Sequence, residues 1–186
     1  MPKNNKKRLK AGFFNQNTLE VAKSLLGKVL CVKSGKRTIK GIIIETEAYR
    51  GEDDLACHAA KGRTKRTETM YRRAGMVYVY FIYGMYFCLN IVTEKENYPA
   101  AVLVRGILTE QKSISGPGRI CRYFGIDKSF NGLNVSGGKI WLEDRGIKIA
   151  SKDIVASKRI GVDYAKHCKN YPWRFSIFSK NGGGEI

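Results

Sequence analysis

The sequence is poor in the residue patterns that build disulfide frameworks or zinc sites. Its 186 residues contain five cysteines, an odd number, and no Cys-x-x-Cys pair. This pattern argues against both kinds of site, so we expect reduced cysteines and no zinc site. No other metal and no cofactor are expected. Buried reduced thiols are typical of a reducing compartment, which predicts an intracellular protein.

The sequence also has no segment suited to crossing a membrane. Its longest apolar run, residues 76–92, is rich in tyrosine and shorter than the ~20 residues that a spanning helix needs. The charged N-terminus lacks the apolar stretch of a signal peptide. We therefore expect no membrane partner.

Acidic residues are few beside the basic ones. Lys and Arg number 34 against 16 Asp and Glu, which gives a net charge of +18. Residues 1–11 are predicted to be a flexible basic arm, yet most of the excess lies outside them. A basic folded body suits a polyanion such as nucleic acid, although a surface that only maintains solubility would have the same composition.

Hydrophobic patterning predicts one strand-rich α+β domain with a mostly antiparallel sheet. A helix is expected to begin after the cap Asn17 and to end at Gly27, and a second is expected over residues 119–124. The predicted strands are 29–32, 39–49, two within 78–90, 100–108, 139–142, 147–149 and 175–178. The polar segment 50–75 is interpreted as loops with one helical turn.

The segment GIIIETEAY, residues 41–49, contains the first catalytic candidate. Three β-branched residues predict a buried strand, on which Glu45, Glu47 and Tyr49 share one face. A carboxylate that leaves a buried strand beside a tyrosine suits a general base, while a strand end with hydrated glutamates is the simpler interpretation. Arg105, inside an apolar strand, requires an anionic partner, and Glu47 is the expected one.

The run YVYFIYGMYFCLN, residues 78–90, has six aromatic side chains and no charge. Gly84 suits the tip of a hairpin next to Tyr83. Unpartnered buried phenols are costly, so several tyrosines should face water or a ligand. The side chains expected in the core are Phe81, Phe87 and Leu89.

Two further signals are weaker. His58 lies near Asp53 and Asp54, but their spacing matches no helical metal-ligand pair. Ser115-Gly-Pro-Gly118 precedes a predicted helix and would present backbone N–H groups and Arg119 to an anion. Turns of this composition are common, so neither signal identifies a function alone.

Taken in order, the motifs resemble a known family. ETEAY, His58, YVYFIYGMYFCLN, AAVLVRG (100–106) and SGPGRIC (115–121) are similar to segments of the 3-methyladenine (alkyl-purine) DNA glycosylases. The ordered match runs from about Gly12 to Phe175 and includes RIGV and WRF near the end. The resemblance implies a glycosylase domain over residues 12–180 and a flexible tail over residues 181–186.

The resemblance also implies a fold and an activity. The fold would be a curved, open-barrel-like antiparallel sheet with surrounding helices and a protruding hairpin. The activity would be that of a monofunctional, monomeric base-excision enzyme, located with the DNA inside the cell. It would flip alkylated or deaminated purines out of double-stranded DNA and hydrolyse the N-glycosidic bond, leaving an abasic site.

Site residues are carried over on the same basis. Glu47 would activate the attacking water, and Arg105 would hold Glu47 and that water. Tyr83 would wedge into the DNA, and Asn90 would disfavour the exocyclic amine of guanine. The implied base pocket is Tyr49, His58, Tyr80 and Asn90. The implied contacts to the DNA backbone are Arg63, Arg66 and Arg119.

A rival interpretation needs no catalysis. In it the chain is a basic nucleic-acid-binding protein whose aromatic side chains stack on bases and whose glutamates are incidental.

Overall fold

The computed structural model describes residues 7–177, and its ten strands form one open sheet in which all paired neighbours are antiparallel. The strands are β1 (Lys7–Arg8), β2 (Val29–Ser34), β3 (Arg37–Arg50), β4 (Val77–Ile82), β5 (Tyr86–Val92), β6 (Ala100–Leu108), β7 (Ser113–Ser115), β8 (Ile140–Asp144), β9 (Ile154–Ser157) and β10 (Arg174–Ile177). The main order is β1-β8-β2-β3-β6-β5-β4; β7 pairs with β6, and β10 joins β3 to β9. The predicted α+β class is confirmed.

Within the described residues, three short helices accompany the sheet. They are α1 (Ala11–Phe14), α2 (Thr18–Ser24) and α3 (Pro117–Phe124). The Asn17 side chain accepts the Leu19 N–H at 3.0 Å and so caps α2, as predicted. Helix α2 packs on β3 and β6, and α3 packs on β5 and β6. The polar segment 50–75 contains two 3-10 turns, His58–Lys61 and Glu68–Tyr71, where one helical turn was predicted.

Side-chain alternation divides strands β3 to β6 into an apolar face and a face that carries polar groups. The apolar face packs in the main core with α2 and α3 and includes Ala48, Val77, Val79, Leu89, Ile91, Val102 and Val104. The opposite face, called here the pocket face, carries Glu45, Glu47, Tyr49, Tyr78, Tyr80, Cys88, Asn90, Leu103 and Arg105. Neighbouring strands thus bring together residues that are far apart in the sequence.

A β-bulge in β3 determines which residues reach the pocket face. The pairing of β3 with β6 shifts on both sides of Glu45. The two shifts cancel, because Ile43 pairs with Ile107 and Thr46 with Val104, but they interrupt the alternation, so Ile43 packs in the core while Glu45 and Glu47 lie on the pocket face. Glu45 lies opposite Gly106, where an added Cβ would be 2.6 Å from the Glu45 Cβ, so glycine permits this bulge.

The strands observed in the last third of the chain differ from the predicted ones in two places. Residues 147–149 form no strand; Ile147 and Ile149 instead pack against the turn at Gly27, so their apolar character serves a loop contact. Strand β9 was missed because it is an edge strand whose side chains are partly or fully exposed, without the alternation that predicts a half-buried strand.

The predicted basic arm also differs from the structure where it is described. Lys7 and Arg8 pair with β8, Leu9 is buried, and α1 begins at Ala11. Arg8 lies over the Trp141 ring at 4.4 Å, a cation–π contact that its charge alone does not predict. Residues 1–6 of the arm and the predicted tail 181–186 lie outside the described residues.

All five cysteines are buried free thiols, as predicted. Among residues 7–177, no helix has the length and apolar character needed to cross a bilayer.

Candidate active site

Glu47 lies on the pocket face of β3 with no exposed surface. The Ile160 N–H donates to its Oε1 at 2.8 Å, and the Tyr49 hydroxyl donates to its Oε2 at 2.8 Å. Arg105 Nε lies 3.5 Å from the same Oε1. Donors from three parts of the chain therefore hold this carboxylate in one orientation.

Burial dominates the electrostatics of Glu47. It raises the pKa of this carboxyl above the ordinary value, while Arg105, the Ile160 N–H and the Tyr49 hydroxyl act in the opposite direction. Burial, followed by the charge of Glu47, raises the pKa of Tyr49 well above its usual range, so Tyr49 stays a hydroxyl donor. A raised pKa makes Glu47 a stronger proton acceptor than an exposed carboxylate, as a general base requires.

Arg105 is shared between two carboxylates. Its Nε lies 3.4 Å from Glu45 and 3.5 Å from Glu47, so the expected partner is present and a second one adjoins it. Arg174 on β10 contacts the same Glu45 oxygen at 3.1 Å. Two guanidinium groups thus balance two carboxylates, which limits the cost of placing these charges in a mostly buried position.

A cavity of about 430 Å³ opens on the pocket face. Its wall includes all four predicted base-pocket residues, Tyr49, His58, Tyr80 and Asn90, together with Arg105. The volume lies in the range of small-molecule sites, and the wall combines aromatic rings with a few polar groups. Glu47 is covered by its own partners, Tyr49 and Arg105, which form part of that wall.

The wall contains groups that are neutral at ordinary pH. His58 Nδ1 lies 3.0 Å from the Tyr78 hydroxyl, and the His58 ring meets Tyr80 edge-on at 4.4 Å. Burial, followed by the charge of Arg66, lowers the pKa of His58 to about 4. Burial raises the pKa of Tyr78 to about 12.

Asn90 is buried and forms part of the cavity wall. Its amide nitrogen donates to the backbone carbonyls of Tyr78 at 3.2 Å and Cys88 at 3.3 Å. These two bonds fix the side chain and leave the amide oxygen as the group that it can offer to a ligand.

Tyr83 forms the tip of the β4–β5 hairpin and is 82% exposed. Tyr83 and Gly84 have φ angles of 52° and 66°, and the Met85 N–H donates to the Ile82 carbonyl across the turn. The hairpin protrudes because β6 pairs with β5 only at Asn90–Val92. For the same reason Phe81 is 48% exposed and Phe87 only partly buried, whereas both were predicted to be core; Leu89 is buried as predicted.

The chain is similar to known proteins over most of its length. A sequence profile of the family described as methylpurine-DNA glycosylase matches residues 12–181. The chain belongs to the methylpurine-DNA glycosylase family.

Similar proteins cover nearly the whole chain. A protein of Methanocella arvoryzae is 45% identical over 94% of this chain and 96% of its own length. One from Clostridium perfringens strain 13 is 44% identical over 91% and 95%, and one from Bdellovibrio bacteriovorus is 42% identical over 89% and 92%. Each bears the name "Putative 3-methyladenine DNA glycosylase".

Membership of this family confirms the resemblance noted in the sequence. The protein is a DNA glycosylase, an enzyme that cleaves the bond between a base and its deoxyribose, and DNA is its substrate. Within residues 7–177, no group of three or more His, Cys, Asp or Glu side chains is placed to hold a metal ion.

The three arginines predicted to contact the DNA backbone have different surroundings in this glycosylase. Arg119 is exposed on α3 and lines the cavity, and Arg66 lies over the Tyr80 ring at 5.8 Å. Arg63 does not line the cavity, and its guanidinium donates to the Glu68 carboxylate at 2.8 and 2.7 Å. Its charge is already balanced within the protein.

The residues 159–164 supply parts of the site that residue-by-residue reasoning missed. The Ile160 N–H binds Glu47, and Ile160, Val162 and Tyr164 line the cavity. The RIGV motif in this segment belongs to the family resemblance. However, a backbone N–H that donates to Glu47 cannot be predicted from the types of side chain present. Its contact with Glu47 joins positions 113 residues apart, which only the fold brings together.

Proposed function

We propose that this glycosylase takes an alkylated or deaminated purine from duplex DNA into the aromatic cavity and hydrolyses its N-glycosidic bond. The observation that carries the proposal is the orientation of Glu47 by Arg105, Tyr49 and Ile160 beside a cavity walled by tyrosines. The product is an abasic site. The enzyme acts as a monomer and without a cofactor.

Access to the cavity requires the base to leave the stack. A glycosidic bond inside a duplex cannot approach a carboxylate that lies behind the cavity wall, so the nucleotide must rotate outward. The exposed ring of Tyr83 is suited to enter the space that the base leaves, because an inserted apolar group replaces part of the lost stacking. Arg119 and Arg66, near the cavity, are placed to receive phosphates.

The aromatic wall favours cationic bases. Alkylation at N3 or N7 makes a purine positively charged, and the faces of Tyr49 and Tyr80 attract a cation. The same charge makes the base a good leaving group. One carboxylate is therefore sufficient, where O-glycosidases generally use an acid and a base.

The geometry of Glu47 supports a direct hydrolysis by an activated water. Its carboxylate accepts a proton from water, the water oxygen bonds to the deoxyribose C1′, and the C1′–N bond breaks with its electrons going to the base. Arg105 holds Glu47 and the water during this step. Asn90, fixed by two backbone carbonyls, presents its bulk to the purine edge and so disfavours the guanine amine by steric exclusion.

Neutral bases are harder to release, because they leave as anions unless a proton reaches them. His58 is neutral near pH 7, so it is a poor source of that proton. We therefore expect faster release of a cationic methylated purine than of hypoxanthine.

The test uses duplexes that each carry one methylated purine, hypoxanthine or etheno-adenine, followed by alkaline cleavage at abasic sites. Wild type is expected to produce strand breaks at the lesion, and Glu47→Gln is expected to bind the same duplex without producing them. The control is an undamaged duplex of the same sequence. Absence of cleavage on every lesion would support the non-catalytic binder instead, and turnover by Glu47→Gln would exclude Glu47 as the base.

A further inference from the structure

Arg159 lies almost completely buried behind the cavity, where it contacts three segments of the chain. Its guanidinium pairs with both oxygens of Asp54, with Nη2 to Oδ1 at 2.8 Å. It also donates to the Ala48 carbonyl at 2.9 Å and to the Cys168 carbonyl at 3.2 Å. Arg159 and Asp54 are 105 residues apart in the sequence.

The flat faces of Arg159 are covered as well. The guanidinium carbon lies 4.8 Å from the centre of the Tyr49 ring and 5.0 Å from that of Trp173, both within cation–π range. Tyr49 lines the cavity and donates its hydroxyl to Glu47. Arg159 therefore supports a cavity residue from behind, although it does not line the cavity itself.

Asp54 extends these contacts to the loop that leads to His58. Its carboxylate accepts the Ala56 N–H at 3.1 Å, and its backbone carbonyl accepts the Cys57 N–H at 2.7 Å. The next residue, His58, begins the 3-10 turn that faces the cavity. The ion pair is thus continuous with a second wall of the site.

The residue after Arg159 contacts the reacting carboxylate directly. The Ile160 N–H lies 2.8 Å from Glu47 Oε1, so the backbone next to Arg159 carries a donor to Glu47. We propose that the buried Arg159–Asp54 pair is the positioning device of this active site: it holds the Ile160 N–H against Glu47 and the Tyr49 ring in the cavity wall. The inference rests on the proposed role of Glu47 and assigns the residues that set its orientation.

A planar guanidinium is required for this arrangement. It provides two parallel bonds to Asp54, further bonds to two carbonyls and two flat faces for rings, whereas a lysine ammonium has neither the fork nor the faces. Arg159→Lys therefore keeps the positive charge but loses the paired bonds to Asp54 and the flat faces that contact the two rings. Misplacement of a reacting group by a fraction of an ångström to 1 Å slows catalysis by roughly tenfold to a hundredfold.

The experiment measures single-turnover excision of a methylated purine by the full-length Arg159→Lys variant as a function of pH. We expect the rate to fall at least about tenfold, with the dissociation constant for the damaged duplex nearly unchanged. Loss of the Ile160 donor should also raise the pKa of Glu47 and move the acid limb of the rate to higher pH. The other titratable or charged groups that face Glu47 are Arg105 from β6, Glu45 and Tyr49 from β3, Tyr80 from β4 and Cys88 from β5, none of which is replaced, and the positive charge at position 159 is kept. A displaced Tyr49 hydroxyl would raise the pKa of Glu47 in the same direction as the lost Ile160 donor.

Arg145→Lys is the matched control. Arg145 makes a forked contact with Glu143 beside β8, with distances of 2.8 and 2.6 Å, and neither residue lines the cavity. This variant should keep the wild-type rate and acid limb even if its thermal stability falls. Asp54→Asn, of nearly the same shape, tests the pair from the other side if Arg159→Lys does not fold.

Two outcomes are distinguishable. A folded Arg159→Lys or Asp54→Asn variant with the wild-type rate and acid limb would overturn the inference, whatever its melting temperature, because only stability would then depend on the pair. If wild type itself releases no base from any duplex, it is the proposed function that fails.

Discussion

Glu47 is the residue whose environment matters most for the chemistry. It must be ionised to accept a proton from water, and burial raises its pKa above the ordinary value of 4.5. The rate should therefore increase with pH through a midpoint above 4.5 and become constant at higher pH. Single-turnover excision of a methylated purine between pH 4 and 8 would measure this midpoint.

The pH profile also separates Glu47 from His58. The pKa of His58 is lowered to about 4 while that of Glu47 is raised from 4.5, so we assign the acid limb of the rate to Glu47. His58→Asn should slow excision through the altered pocket and leave the midpoint in place. A midpoint that moves with this substitution would assign the acid limb to His58.

The same pKa shift has a consequence for stability. A folded-state pKa above the unfolded one means that protonated Glu47 favours folding below the unfolded pKa, and that this contribution is lost as pH rises through the folded value. Glu47→Gln, which cannot ionise, should therefore gain in melting temperature relative to wild type on going from pH 4 to pH 7. A difference that does not change with pH, or that favours wild type at pH 7, would contradict the raised pKa.

At the scale of the element, the tip of the β4–β5 hairpin carries the proposed wedge, Tyr83, in an unfavourable backbone conformation. Tyr83 has a φ of 52°, in the left-handed region, which costs a non-glycine residue about 1 kcal/mol. Asparagine adopts this conformation more readily and is common at the first central position of such turns.

Tyr83→Asn should therefore stabilise the protein by up to about 1 kcal/mol while it slows base excision, because the ring that replaces the lost stacking is gone. Denaturant unfolding and single-turnover rates measure the two effects. Tyr123→Asn, at a half-exposed tyrosine on α3 that does not line the cavity, is the control for general loss of an aromatic surface. If Tyr83→Asn excises the base at the wild-type rate, Tyr83 does not act as the proposed wedge.

At the scale of the whole molecule, the net charge of +18 predicts strongly salt-dependent DNA binding. Each phosphate contact releases a counterion, so the logarithm of the affinity should fall linearly with the logarithm of the salt concentration. Arg119→Gln should reduce that slope by about one unit if Arg119 contacts a phosphate. Arg63→Gln should change it little, because Glu68 already neutralises Arg63. Equal effects of the two substitutions would contradict this assignment.

The strands were predictable where alternation or β-branched runs are strong, as in β3, β6 and the aromatic hairpin. Prediction failed where tertiary contacts override local pattern. Ile147 and Ile149 serve a loop contact, β9 is an exposed edge strand, and Phe81 lies on a hairpin that extends beyond its neighbour. These outcomes depend on which elements are neighbours in the fold. A short segment of sequence does not specify its neighbours.

The sequence by itself determined the family and the strand-rich α+β class, and it indicated Glu47, Arg105 and the tyrosines of the aromatic hairpin as candidate site residues. Ordered motifs are specific, and the alternation of side chains along a strand is a local property. The tertiary structure alone decided that a bulge opposite Gly106 turns Glu45 and Glu47 to the pocket face, and that the Ile160 N–H and Arg159 reach β3. The physical reason is that the orientation of a buried carboxylate depends on donors distant along the chain, which only the folded sheet brings within hydrogen-bond distance.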